Sequence, residues 1–224
     1  MRVVNIEKAG QVVKFNISEP TEHLQKDWQR LRFYEGKMLD YIKSNYDLGG
    51  TFMDVGAAIG NHTLFFAKVC QTDKVVSIEP VNSSYNYLVG NINLNSVENK
   101  VIALNLAVSD ANGSGSMEKF FVGGRSNRGM HKLTEGDDTT VKTIDSIVTE
   151  QKLENISLMK MDVEFNEVRA LRGASNLLSK HRPILFIEID DPNNKKIVID
   201  LLNSFNYKIG KRFNSSDTYE FIPE

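Results

Sequence analysis

Two short β-rich stretches between Val3 and Ile17, on either side of Ala9-Gly10-Gln11, predict a β-hairpin. Pro20-Thr21 opens a different texture, in which Leu24, Trp28, Leu31, Met38, Leu39 and Ile42 recur at mixed three- and four-residue steps. That spacing predicts one or two amphipathic helices between Glu22 and Tyr46, with a break at Gly36. Asp47-Leu48-Gly49-Gly50 is the predicted stop, because glycine supplies the left-handed residue on which helices end. From Thr51 onward short apolar runs alternate with helical stretches. Strands are predicted over 51–55, 74–78, 101–108, 157–163 and 184–189, and helices over 62–70, 82–94, 167–178 and 194–204. Parallel strands require long return connections, so the alternation predicts an α/β fold with helical crossovers. Two more strand-like stretches, 207–212 and 218–222, predict an antiparallel pair closing the sheet. The expected organisation is an N-terminal hairpin and helical cap over 1–48 and a main domain over 49–224. The interval 110–139 carries Gly113, Gly115, Gly123, Gly124, Gly129 and Gly136 among serines and asparagines and is predicted to be largely irregular.

Composition adds exclusions. With 224 residues, of which 41% are hydrophobic and 25% charged, the chain can bury one sizeable core without metal or disulfide staples. Its 27 basic and 29 acidic residues give a net charge of −2, so the general attraction for polyphosphate is missing and nucleic acid is not the expected partner. Cys70 is the single cysteine, which excludes an internal disulfide and a multi-cysteine zinc site and fits a reducing compartment. The opening residues are polar-interrupted and no run approaches the roughly 18 apolar residues of a membrane span, so a cytoplasmic protein without a membrane partner is expected. His23, His62, His131 and His181 show no metal-ligand spacing.

Three positions carry candidate chemistry. Asp54-Val55-Gly56-Ala57-Ala58-Ile59-Gly60 follows a predicted strand and precedes a predicted helix, where open α/β sheets bind ligands and small residues let them approach the backbone. The full dinucleotide pattern is absent, and Asp54 would place a negative charge where a pyrophosphate should sit. A ligand with a cationic tail and no phosphates, such as S-adenosylmethionine, suits it better. Glu79, nineteen positions after Gly60 and at the end of the next strand, can accept hydrogen bonds from both hydroxyls of a ribose. Asp162 and Glu164 end the fourth core strand, where alternation would put both on one side near the ligand-binding edge. Such a pair can orient a substrate hydroxyl, act as a base or hold a metal ion. Asp162 is the first candidate for the neighbourhood of the acceptor and Glu164 the second. Arg125 and Arg128 in the glycine-rich interval can clamp an anion.

Asp54-Val55-Gly56-Ala57 through Gly60, Ile78-Glu79-Pro80, and Lys160-Met161-Asp162-Val163-Glu164 followed by Glu167, Leu171, Arg172, Gly173 and Ala174 form an ordered set. It resembles the FkbM family of S-adenosylmethionine-dependent methyltransferases, from about Tyr34-Glu35 to Glu188, and takes in Asn91 to Asn95, Ala107-Val108-Ser109-Asp110 and Val141 to Ser146. The resemblance implies a class I methyltransferase fold over 49–224, Rossmann-like, with a seven-stranded, mostly parallel sheet flanked by helices. It implies S-adenosylmethionine as cofactor, S-adenosylhomocysteine as product, and O-methylation of a hydroxyl on a sugar or other small metabolite. A macromolecular acceptor and a non-catalytic cofactor-binding module are the alternatives. By the same likeness Asp54, Gly56, Ala58, Gly60 and Asn61 belong to the methionine-side loop, Glu79 and Pro80 to the ribose site, and Leu106, Ala107 and Val108 to the border of the adenine. Glu35 would lie near the cofactor's amino-acid end. No metal-ligand set is indicated. Where the family usually has glycine after Asp-Val-Glu, this chain has Phe165, placed either to line an apolar part of an altered acceptor pocket or to lie buried under the following helix.

Overall fold

The N-terminal β-rich stretches fold as a hairpin. In the computed structural model, which describes residues 2–18, 23–47, 49–118, 121–122, 125–126 and 131–224, β1 (Arg2–Lys8) and β2 (Gln11–Ile17) pair antiparallel, with Val4 opposite Phe15 and Ile6 opposite Val13. Ala9 and Gly10 take positive φ angles of 48° and 76°, the two-residue turn whose twist matches its strands. Val4, Ile6, Val13 and Phe15 are buried on one face. The helical run is interrupted between α1 (His23–Gln29) and α2 (Gly36–Asn45), where Leu31 and Glu35 adopt left-handed backbone, so the break lies just ahead of Gly36. Trp28 is fully buried and stacks on Phe15 with ring centroids 4.0 Å apart. Pro20-Thr21 and Leu48 lie outside the described residues.

The alternating region runs β3 (Thr51–Val55), α3 (Asn61–Lys68), β4 (Lys74–Ile78), α4 (Asn82–Leu94), β5 (Val101–Leu104), β6 (Ala107–Val108), β7 (Gly113–Glu118), the short β8 (Phe121–Val122) and β9 (Arg125–Ser126), and β10 (Lys132–Lys142). It continues through α5 (Ile144–Glu150), β11 (Ile156–Met161), α6 (Glu167–Arg172), β12 (Ile184–Glu188), α7 (Pro192–Ser204), β13 (Tyr207–Phe213) and β14 (Thr218–Pro223). Seven strands form one sheet in the order β13-β14-β12-β11-β3-β4-β5. The five from β12 to β5 are parallel, β14 is antiparallel to β12, and β13 is antiparallel to β14. The chain leaves β3 toward β4 and β5 and later returns to its other side with β11, so the strand order reverses between β3 and β11. Crevices at such points receive ligands beyond the carboxyl ends of the strands.

Alternation divides the core between the two faces. Phe52, Leu158 and Phe186 pack with the hairpin and with α2, α3 and α4, whereas Met53, Val55, Met159 and Met161 pack with α5, α6 and α7. The hairpin is held by asparagines one helical turn apart. Asn95 Oδ1 accepts from the Lys14 N–H at 2.8 Å and its Nδ2 donates to the Lys14 carbonyl at 2.7 Å, while Asn91 Oδ1 accepts from the Asn16 N–H at 3.0 Å. Backbone groups of β2 that would otherwise offer an open edge are thus satisfied by α4.

Three expectations are corrected. The strand predicted over 101–108 is two: β5 stays in the main sheet, while β6 leaves it to pair with β10. The interval 110–139, predicted to be irregular, contains most of a side sheet, β6-β10-β7, with a bulge between Thr134 and Thr139. Its strands are Gly-, Ser- and Thr-rich and lack apolar alternation, and backbone pairing does not need it. The helix predicted over 167–178 stops at Arg172, and a π-helical turn covers Leu177–His181. Gly123, Gly124, Arg128, Gly129 and the side chain of Arg125 lie outside the described residues. Among the described residues no helix is long and apolar enough to cross a membrane.

Candidate active site

The site is built where β3, β4 and β11 end. Gly56 turns the chain out of β3 with φ of 85°, and a β-carbon on it would stand 1.7 Å from the Asp162 carbonyl oxygen. Only glycine accepts both that backbone and that approach. The Asp162 N–H donates to the Val55 carbonyl at 2.8 Å, so the two strand ends are fastened across the same gap. Ala58, also left-handed, donates its N–H to Glu79 Oε2 at 2.8 Å, and the Val81 N–H donates to Oε1 at 2.8 Å. Burial pushes the Glu79 carboxyl up to about 8, against the two N–H donors that favour its ionised form. Asn105 Nδ2 holds the backbone of this corner by donating to the carbonyls of Glu79 and Pro80 at 2.8 and 3.1 Å.

These elements bound a cleft. Gly56, Ala58, Glu79, Pro80, Leu106, Ala107 and Val108 line it, as do Asp162 and Glu164. Met117, His131 and Leu133 form a further wall from β7, β10 and the residue before β10, and Asn166 closes an end, its Nδ2 donating to the Val108 carbonyl at 2.7 Å. Sequence reasoning did not assign these four residues, or Asn105, to the site. The side sheet was invisible to hydrophobic patterning, and the only signals for Asn105 and Asn166 were polar residues at a strand end and ahead of a helix.

Four residues assigned to the cofactor side sit elsewhere. Asp54 is fully buried behind the loop, its Oδ2 accepting from Thr63 Oγ1 at 2.6 Å. Gly60 opens α3 with φ of 98°, where a β-carbon would stand 3.0 Å from Leu88, so its smallness serves helix packing. Asn61 is occupied in fastening the N-terminal layer: its Oδ1 accepts from Trp28 Nε1 at 3.0 Å and from the Tyr34 N–H at 3.1 Å, and its Nδ2 donates to the Tyr34 carbonyl at 3.0 Å. Glu35 precedes α2 with its side chain 3% exposed, 2.8 Å from His62 Nε2 and accepting from Asn214 Nδ2 at 2.5 Å. It lines no part of the cleft.

Asp162 and Glu164 do come together, for a different reason from strand alternation. β11 ends at Met161, and Glu164 and Phe165 take left-handed φ angles of 47° and 68°, a turn that folds Glu164 back beside Asp162. Both residues line the cleft and also a shallow depression, with Phe165, Glu167, Glu188, Asp190 and Asp191. Phe165 is 48% exposed there, so it is not buried under α6. Burial, reinforced by the Asp162 charge, pushes Glu164 and Glu188 up to about 8 and Glu167 up to about 7. Among the described residues no group of three or more His, Cys, Asp or Glu side chains is arranged to hold a metal ion.

The raised carboxyls predict how stability depends on pH. An unfolded glutamate loses its proton near pH 4.3, whereas Glu79, Glu164 and Glu188 keep theirs to about 8, so the folded state binds more protons between those values. Stability of the ligand-free protein therefore falls as pH rises from about 5 to about 8. Urea denaturation at the two ends of that window checks this, and a higher midpoint at pH 8 would contradict it.

The strand order, the antiparallel strand inserted toward one edge and the cleft at the reversal point define a class I methyltransferase fold. The chain belongs to the FkbM methyltransferase family: the Methyltransferase FkbM domain matches residues 54–209. It is 26% identical over 202 residues to the hexuronic acid methyltransferase AglP of Haloferax volcanii, covering 88% of this chain and 78% of that one. Among solved structures it superposes on a methyltransferase FkbM from Methylobacillus flagellatus KT with a TM-score of 0.58 and 20% identity. That match covers 77% of this chain and 43% of the other, so the chain spans less than half of that relative. A precorrin-6y C5,15-methyltransferase from Geobacter metallireducens GS-15 shares the fold, with a TM-score of 0.52, 8% identity and coverage of 83% and 86%. The protein is a methyltransferase.

Proposed function

We propose that the protein transfers a methyl group from S-adenosylmethionine to a hydroxyl of a saccharide or other small metabolite. The observation that carries this reading is that Asp162 and Glu164 line both the cleft and the acidic depression beside it, so one pair of carboxyl groups stands where the cleft meets the protein surface. The residues present fit the cofactor. Leu106, Ala107, Val108, Met117 and Leu133 offer apolar walls for a flat base, Glu79 has lone pairs left for a diol, and the acidic end suits a sulfonium and an ammonium. When bound, the cofactor supplies a methyl on a sulfonium centre whose leaving group is already good. The chain's own tasks are then to hold the acceptor oxygen in line, to keep water out and to receive the hydroxyl proton. Asp162 is assigned that last role, with Glu164 beside it. The relative named as a hexuronic acid methyltransferase directs the acceptor search to saccharides.

Calorimetric titration with S-adenosylmethionine and S-adenosylhomocysteine tests the cofactor. Both are expected to bind, and Glu79→Gln, whose amide nitrogen would face one of the two N–H donors that Glu79 accepts from, is expected to weaken binding by about 1–3 kcal/mol, the cost of an unsatisfied buried donor, which is roughly 5- to 150-fold in Kd. Absent binding in the wild type, or binding untouched by Glu79→Gln, would overturn the assignment. Transfer of a labelled methyl group to glucuronic acid and to neutral hexose glycosides then tests the acceptor class.

A further inference from the structure

Lys160 lies inside the sheet at 1% exposure, on β11 between Asp54 of β3 and Phe186 of β12. Lysine is almost never fully buried unless it is paired. Here Nζ is 3.2 Å from Asp162 Oδ2, and three more carboxylates act on it: Asp54 from β3, Glu188 from the end of β12 and Glu35 from the start of α2. Burial works against the charge, but these four acids outweigh it and hold the ammonium protonated beyond the ordinary lysine range. The four are not equivalent. Asp162 is the acid that Lys160 reaches by a hydrogen bond and the one that lines the cleft, whereas Asp54 and Glu35 line neither the cleft nor the depression.

Asp162 is otherwise surrounded by acids. Glu79 from the end of β4, Glu164 and Glu167 from the turn into α6, and Glu188 from β12 all feel its field. Lys160 is the cation that reaches it by a hydrogen bond. We propose that Lys160 is a positioning residue for methyl transfer: its buried ammonium fixes the Asp162 carboxylate, by a hydrogen bond from within the sheet, in the orientation that meets the acceptor hydroxyl. The inference rests on the methyltransferase reading of the cleft given above. It assigns a role to a buried residue that lines neither the cleft nor the depression.

The test is spectroscopic and uses the full chain labelled with ¹³C at aspartate and glutamate carboxyl carbons, the Asp162 and Glu188 signals being those lost in Asp162→Asn and Glu188→Gln. In Lys160→Met the Asp162 signal is expected to move at fixed neutral pH. The Glu188 titration midpoint is expected to rise by about 1–3 pH units, because an opposite charge that favoured its ionised form is gone. With wild type and both variants compared at pH 9, above the Glu188 midpoint of about 8, Lys160→Met/Glu188→Gln removes one charge of each sign and restores the charge count, which protects the fold and separates the two meanings of the residue. If Lys160 only balances charge, the Asp162 signal returns to its wild-type position in the double variant, and the proposal fails. If it positions Asp162 through the hydrogen bond, the signal stays displaced. An unmoved Asp162 signal in folded Lys160→Met would also overturn it. Titration of the wild type with S-adenosylhomocysteine is run alongside: absent binding sinks the cofactor assignment and leaves the carboxyl measurement readable by itself.

Discussion

Gly56→Ala is expected to abolish cofactor binding and to destabilise the fold. Two costs combine. An L-residue held at φ of 85° costs about 1–2 kcal/mol in backbone strain alone. The new methyl would also stand 1.7 Å from the carbonyl oxygen of Asp162, a backbone atom that cannot swing aside. The neighbouring Asp162 N–H is tied to the Val55 carbonyl, so relief comes only by parting the ends of β3 and β11. That movement displaces Ala58 and Asp162, which line opposite sides of the cleft. A misplacement of about 1 Å at such a site costs roughly 100-fold, and S-adenosylhomocysteine affinity is expected to fall by at least that factor. Gly10→Ala provides the control. Gly10 has φ of 76° and nothing within 4 Å of its would-be β-carbon, so the substitution carries the backbone cost without the collision. Calorimetry and urea denaturation on both variants separate the two terms. Affinity retained within a few-fold in Gly56→Ala would show that the loop can yield, and the steric account of the site would be wrong.

The sequence identified Gly56 by type and place, and the fold shows why: the glycine-requiring turn and the strand end it abuts are 106 residues apart in the chain and meet only through parallel pairing of β3 with β11. Elements whose side chains alternate or recur at helical steps could be read directly. The β-rich stretches around Ala9-Gly10-Gln11 coincide with the hairpin, and the apolar runs at 51–55, 74–78 and 184–189 coincide with β3, β4 and, to within a residue, β12. Where pairing rests on backbone alone, the pattern was silent. Gly113–Glu118 and Lys132–Lys142 pair along their length although few of their side chains are buried, and so the wall of the cleft formed by Met117, His131 and Leu133 could not be foreseen.

Site residues divide in the same way. Glu79 and Asp162 could be put near the ligand edge because strand ends in an open α/β sheet point at one crevice, whereas the 106–108 segment came from the family resemblance; all of them line the cleft. Asn61 and Glu35 could not be placed, because polarity next to a glycine loop looks the same whether a side chain faces ligand or ties down a neighbouring layer. The difference lies in Trp28, Tyr34 and Asn214, which arrive from distant parts of the chain to occupy those side chains. Phe165 is the reverse case. Its position in a left-handed turn is the one for which glycine is the ordinary choice, and the chain keeps the turn while adding an exposed ring to the acidic depression.

Asp162→Asn is expected to lower methyl transfer by about 10²–10⁴-fold, the usual worth of a positioned general base, while changing S-adenosylhomocysteine affinity by less than about tenfold, the scale of one neutral hydrogen bond. The amide keeps the size and shape of the carboxylate and can still orient a hydroxyl, but it cannot take the hydroxyl's proton. A neutral alcohol is a poor nucleophile, so the loss should appear in kcat with the acceptor KM little changed. Glu164→Gln gives the comparison, because burial and the Asp162 charge push Glu164 up to about 8 and leave it protonated at neutral pH. An amide in place of a carboxylic acid then costs little at pH 7, and the gap between the two variants measures what the ionised carboxylate contributes. The assay follows a labelled methyl group into the acceptor found among the saccharides, at saturating donor, with calorimetry on the same preparations. Full turnover in Asp162→Asn would mean that alignment alone carries the reaction, and the proton would then have to leave to water. Equal losses in the two variants would mean that the pair acts as one unit sharing a proton.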